Sequence, residues 1–266
     1  MIRKCYMIAL MLALLLLSGC ALRTLDDLYQ VPKHADTFDT LQSAIDKSMA
    51  GLEYCAPLNG ENLQTVQTVD LDGDGVLEYL LYARGTEEMP LHILIFVLKD
   101  GQYVLSDTIQ SHGTAFDVVM YSQMDDHPGM EIIVGCQISQ DVARSVGVYG
   151  LRDGKAWPLL STNYTSFVSC DLVDGERSEL MVLRPGETDE DCGVAELYTF
   201  LDQTLVLYDN IELSGAAESL KHVESVELPD GVKSLHVYTA VGGGSVAVDI
   251  LAVVNGKLTN LAASEQ

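Results

Sequence analysis

The chain has 266 residues, with 39 acidic against 15 basic side chains, a formal charge of −24 and 48% hydrophobic residues. That balance excludes a nucleic-acid binder, because polyanions are held by clusters of Lys and Arg that release phosphate counterions, and no such cluster occurs. Strong acidity favours solubility and cation binding instead.

Met1-Ile2-Arg3-Lys4 leads into an apolar run from Cys5 to Leu17, which at 13 residues falls short of the roughly 20 needed to span a bilayer. Residues 1–19 read as a secretory signal peptide. Leu17-Ser18-Gly19-Cys20 resembles the lipobox of bacterial lipoproteins. The resemblance implies cleavage before Cys20, a diacylglyceryl group and palmitate on the new N-terminus, and a mature protein anchored to the outer, extracytoplasmic side of the cell membrane. An uncleaved anchor helix or an ordinary secretion signal is the competing reading. Cleavage removes Arg3 and Lys4 but no acid, so 13 basic side chains face 39 acidic ones and the mature charge becomes −26.

Loss of Cys5 and lipidation of Cys20 leave Cys55, Cys136, Cys170 and Cys192. None forms C-x-x-C, and their spacings of 81, 34 and 22 residues match no zinc pattern. An oxidising compartment permits disulfides; free thiols buried in apolar strands are the other reading, since Cys136 and Cys170 sit in strand-like runs.

Residues 20–36 are mixed and polar and include Pro32, as expected of a tether. The segment 37–62 is then expected to hold one amphipathic helix, about Thr37 to Ala50, because Phe38, Leu41, Ile45, Met49 and Leu52 recur at helical spacing and Gly51 is a plausible stop. Its expected task is to cover an end or edge of the β-structure on its C-terminal side.

From residue 63 to 266 the chain is a series of short apolar runs punctuated by Gly, Asp and Asn. A glutamate followed by an apolar run recurs at Glu78, Glu131 and Glu179, and the phase continues at Leu235, with intervals of 53, 48 and 56 residues. About twenty residues after each comes a tight turn: Asp100-Gly101, Asp153-Gly154, Asp202-Gln203 and Asn255-Gly256. Asp-Gly and Asn-Gly are the strongest short hairpin signals, because both turn residues must tolerate positive φ. Two markers repeating in step predict an all-β chain: a β-propeller-like array of about four four-stranded blades, preceded by the helix and the lipoprotein signal peptide.

The first of these units opens on Asp70-Leu71-Asp72-Gly73-Asp74-Gly75-Val76-Leu77-Glu78. Carboxylates at positions 1, 3, 5 and 9 and a backbone carbonyl at 7 suit a hard cation that takes about 6–8 oxygens, so calcium is expected on Asp70, Asp72, Asp74, Glu78 and the Val76 carbonyl. A solvated acidic turn is the alternative. The second loop, 123–131, keeps acids only at positions 3, 4 and 9; the third, 171–179, keeps positions 1 and 9; the fourth, 227–235, loses the last.

An Asp-rich loop ahead of an apolar strand, repeated from about 63 to 261, resembles the FG-GAP and VCBS repeats of integrin-like β-propellers. The chain is similar too to propeller lipoproteins of Gram-positive, clostridium-like bacteria, which join a lipobox, a short helix and such blades. Members of this type usually have seven blades, so four suggest a short ring, a truncated product or half of an assembly, and either self-association or closure into a short ring is expected to relieve the open edges.

No G-x-S-x-G, H-E-x-x-H or P-loop occurs, and the six histidines are scattered singly. Gly242-Gly243-Gly244 has neither a Lys nor a helix start after it and reads as an inter-strand loop; the acids of 187–191 read as a solvated loop tip. The expectation is a non-catalytic extracellular module, calcium-stabilised, that binds an unidentified protein or carbohydrate. A cell-surface hydrolase acting on carbohydrate or peptide is the alternative.

Overall fold

The computed structural model describes residues 36–262 apart from 139–143, 174, 176, 187–191 and 230. The signal peptide, Cys20, most of the tether and the acidic run 187–191 lie outside the described residues. Contacts divide the chain between Asp39 and Thr40. Of the first unit only the opening turn of helix α1 (Asp36–Ser48) is described; the second unit, Thr40–Gln266, holds the sheets.

The fold is all-β, with four antiparallel sheets each built from consecutive strands. In the first, β3 (Glu78–Arg84), β4 (Leu91–Lys99) and β5 (Gln102–Ser111) are joined at one edge by two short strands, β1 (Glu53–Tyr54) and β2 (Val66–Val69). Both pair with β3: β1 with Ala83 and Arg84, β2 with Glu78 to Leu81. The edge strand of this sheet is therefore split, and part of the lead-in to the repeats belongs to the sheet itself. The other sheets follow the predicted four-strand order: β6 (Ala115–Ser122), β7 (Glu131–Gln137), β8 (Arg144–Arg152) and β9 (Lys155–Asn163); β10 (Ser166–Cys170), β11 (Glu179–Arg184), β12 (Val194–Leu201) and β13 (Thr204–Glu212); β14 (Leu220–Glu227), β15 (Lys233–Val241), β16 (Ser245–Val254) and β17 (Lys257–Asn260).

All four third-to-fourth strand connections are tight turns in the left-handed region, with φ of 52° at Asp100, 50° at Asp153, 49° at Asp202 and 51° at Asn255. These values explain why Asp or Asn recurs there, since both tolerate positive φ better than other side chains.

The second strand of each of the first three sheets is apolar on both faces because both are covered, by neighbouring sheets or, on one face of the first sheet, by α1. Leu80 and Tyr82 of β3 face the second sheet, with Phe116, Ile132 and Val134; Ile133 and Val148 of that sheet meet Leu180 and Val182; Met181 and Leu183 meet Leu235 and Val237 of the fourth. The remaining face of the first sheet, with Leu81, Ala83, Leu94 and Phe96, is covered by Leu41 and Ile45 of α1. Sequence periodicity thus placed the helix and the buried pair Leu41 and Ile45, whereas Phe38 of the expected stripe is 47% exposed and Met49 and Leu52 lie past the helix end. Ile45 is buried, so Ile45→Ala should lower unfolding stability by about 2–3 kcal/mol in urea titrations, from lost burial and the cavity left behind.

The sheets form a row: among the described residues none of the buried apolar clusters joins the fourth sheet to the first. Cys55, Cys136, Cys170 and Cys192 are free thiols. Burial pushes the Cys136 thiol up to about 12, which leaves it protonated and unreactive at neutral pH.

Candidate metal site

Strand direction puts the four acidic-type loops and the four tight turns at the same end of the row, since each joins a strand running one way to one running back. In the first loop each carboxylate first satisfies the backbone. Asp70 Oδ1 accepts the Gly73 amide at 2.7 Å and its Oδ2 the Gly75 amide at 3.0 Å; Asp72 accepts from Asp74 at 3.2 Å and Asp74 from Val76 at 2.7 Å. Such local bonds hold the chain in a tight coil and crowd the acids. Carboxylate oxygens of Asp70, Asp72 and Glu78 gather within 4.8 Å of one another. Asp74 stands outside that trio, its carboxylate turned to the Val76 amide.

Glu78 has a task that the sequence did not reveal. It is 2% exposed and accepts the Leu71 amide at 2.8 Å, closing the loop from within. Glu131 does the same for the Met124 and Asp125 amides at 2.5 and 3.3 Å, and Glu179 for Leu172 and Val173 at 2.7 and 3.3 Å. The repeating glutamate is thus a buried structural acceptor in three units, whether or not the loop around it has a ligand pattern. An unpaired buried amide costs about 1–3 kcal/mol, which is reason enough for an acid at each of these positions.

The loops also brace one another. The Met130 amide donates to the Asp70 carbonyl at 3.1 Å, and the Ser178 amide to the Gln123 carbonyl at 2.9 Å, so the eighth position of one loop bonds to the first position of the loop before it. Pro128 and Gly129 nest against Gly73 and Leu71 so closely that a Cβ on Gly129 would lie 2.4 Å from the Leu71 carbonyl oxygen.

Charge separates the first loop from the next two. Arg177, at position 7 of the third loop, pairs with Asp126 of the second, and Lys233 of the fourth pairs with Asp171 of the third. Arg152 Nη2 adds a contact to Asp125 at 3.3 Å. The corresponding position facing the first loop is Gly129, and among the described residues no Lys, Arg or His lies within 4.0 Å of the carboxylates of Asp70, Asp72, Asp74 or Glu78. Burial, with added repulsion from Asp72, Asp74 and Asp70, outweighs the Leu71 hydrogen bond and pushes the Glu78 carboxyl up to about 7. Burial also raises Asp72, again with repulsion from its neighbours. Glu131 is pushed up to about 7, mainly by burial and in part by Asp125.

At the opposite end of the row two adjoining open clefts, of about 350 and 360 Å³, are lined by Arg144, Thr165 and Glu218, one of them also by Arg184 and Tyr164. Arg144 lies 3.6 Å from buried Asp117, which accepts the Tyr164 hydroxyl at 2.6 Å, and Arg184 pairs with Glu196. Both guanidiniums are thus engaged, and the Glu218 carboxylate, which lines both clefts, leaves them mildly acidic.

In comparisons with known proteins, no family model and no curated protein matches the chain.

Proposed function

We propose that the chain is a non-catalytic binding module, anchored to the cell membrane through lipid on Cys20 and carried on the extracytoplasmic side, with its sheets as the blades of an incomplete FG-GAP-like propeller. In this reading the first loop holds calcium through Asp70, Asp72 and Glu78, with Asp74 and the Val76 carbonyl completing the shell after a small rotation. The observation that carries the metal assignment is the charge pattern: the second and third loops have a basic side chain against an acid, and the first has three clustered carboxylates and none. A cation there would offset the burial that chiefly raises Glu78 and Asp72 and relieve the repulsion that adds to it.

The rest of the reading rests on chemistry in the chain. Loops held at the two ends of a rigid row of sheets are where contacts to a protein or carbohydrate ligand would arise. Anchoring follows from the lipobox-like Leu17-Ser18-Gly19-Cys20; one acyl chain binds membranes only marginally, and the two of a diacylglyceryl group hold stably. Cys20→Ser should therefore leave an unprocessed precursor or release the protein, as read by fractionation and intact mass. Unchanged membrane retention at the processed mass would refute the anchor. Calorimetric titration of calcium into chelator-treated protein tests the metal directly, and absence of binding at millimolar calcium would refute it.

A further inference from the structure

The two clefts at the end of the row away from the metal loop meet around three charged side chains that the metal reading leaves unused. Arg144, at the start of β8, and Arg184, at the end of β11, line one cleft together with Glu218, from the helical turn Ala217–Ser219 between β13 and β14. Each guanidinium is held by a buried carboxylate that does not itself line the cleft. Asp117 is 2% exposed, accepts the Asn59 side-chain amide at 2.7 Å and the Tyr164 hydroxyl at 2.6 Å, and stands 3.6 Å from Arg144 Nε. Glu196 is 7% exposed, accepts the Tyr198 hydroxyl at 2.8 Å and pairs with Arg184 Nη2. Carboxylates fixed in this way fix the guanidiniums in turn, so little side-chain freedom remains to be lost when a ligand arrives.

A guanidinium has five N–H donors, and these contacts take only part of each set. Arg144 turns Nε to Asp117 and gives Nη1 to the Thr165 carbonyl at 3.4 Å, which leaves Nη2; Arg184 gives Nη2 to Glu196, which leaves Nε and Nη1. Glu218 has no hydrogen-bond or ion-pair partner among the described residues. The cleft thus offers unspent donors and an unspent carboxylate, while two guanidiniums set against Asp117, Glu196 and Glu218 leave it with a net negative charge. A plain anion meets the wrong charge there, on a chain of −24, and a plain amine leaves the donors unused. A molecule that carries a carboxylate and an ammonium side by side satisfies both.

The geometry points to this cleft as a binding site for a free α-amino acid, its carboxylate on the Arg144 and Arg184 forks and its ammonium on Glu218. Size and lining narrow the side chain. Volumes of about 350 and 360 Å³ lie at the small end of ligand sites, and the apolar lining is Ala217 and Leu220 in one cleft and Pro185 in the other, which suits a short aliphatic side chain. Neither calcium nor the lipid anchor enters, so this site goes beyond the functional reading above and stands without it.

The test is isothermal titration calorimetry of the full chain at neutral pH, in nonionic detergent and chelator, with L-valine and L-alanine as probes. Valine or alanine should bind with a Kd of about 1 mM or below. Isovalerate, which lacks the ammonium of valine, and isobutylamine, which lacks its carboxylate, should each bind about tenfold more weakly or worse. Glu218→Gln should weaken the amino acid about tenfold and leave the melting temperature unchanged, because the exposed carboxylate has no partner to lose. Arg184→Lys keeps a positive charge beside Glu196 but loses the fork, and should weaken binding by a similar factor. No saturable heat with either amino acid, isovalerate or isobutylamine binding as tightly as the amino acid, or an affinity unchanged in either variant overturns the proposal. With chelator present throughout, the result is the same whether or not the first loop binds calcium.

Discussion

At pH 8, millimolar calcium should raise the melting temperature of the parent chain by about 3–6 °C over chelator, and Glu78→Gln should remove that response. The size follows from linkage. A cation that binds only the folded state at tenfold excess over its Kd adds about 1.4 kcal/mol, and each kcal/mol is worth about 2–4 °C in a unit of this length. The variant is chosen so that the loop survives: a Gln carbonyl still accepts the Leu71 amide, but the charge is gone. Its sign in chelator is the sharper check. Glu78 has its folded value raised to about 7 from an ordinary 4.5, so the folded chain holds the proton more tightly than the unfolded one. Stability from this group is therefore present at low pH and is lost as pH rises from about 4.5 through 7, by roughly 2–3 kcal/mol at most. Metal-free Glu78→Gln should accordingly melt above the metal-free parent at pH 8 and no higher at pH 4.5. Glu131 is raised in the same way, but its loop has basic neighbours. Glu131→Gln should show the same pH-dependent gain and keep the calcium shift. If the parent ignores calcium, or Glu78→Gln responds as the parent does, the loop is an acidic turn.

Gly129→Ala should cost more than about 3 kcal/mol and abolish the calcium shift, although Gly129 carries no ligand. Two effects add. Its φ of 112° is a backbone conformation that L side chains rarely adopt, and a Cβ there would press on the Leu71 carbonyl oxygen and the Asp72 amide, at 2.4 and 2.9 Å. The second loop would have to withdraw from the first, loosening the Met130-to-Asp70 hydrogen bond and the carboxylates attached to that backbone. Gly75→Ala separates the two effects: its φ is 84°, but nothing lies within 4 Å of the added carbon. It should cost about 1 kcal/mol, from backbone strain alone. Urea unfolding of both variants decides; equal costs would show that the close packing of the two loops does not matter.

Much of the architecture was legible because it is written in local chemistry. Asp or Asn at each tight turn reports a backbone that needs positive φ, and runs such as Leu80 to Ala83 or Leu180 to Leu183 are apolar without alternation because both faces are covered. The helix was legible from the spacing of Leu41 and Ile45. Less legible was β1, whose two residues carry no strand signal and owe their pairing to the exposed end of β3.

The metal loop divides in the same way. The sequence by itself determined which residues could bind a cation and where the four loops fall, because ligand spacing within nine residues and the repeat interval are properties of the chain alone. Only the tertiary structure decided what distinguishes the loops. Arg177 reaches Asp126 and Lys233 reaches Asp171 across 51 and 62 residues, while Gly129 offers Asp70, Asp72 and Glu78 no charge at all. It also decided that Glu78 closes its loop before it can serve a metal. Charge compensation acts through space, over a few ångströms that sequence distance does not measure, and so it becomes visible only when the sheets have packed side by side.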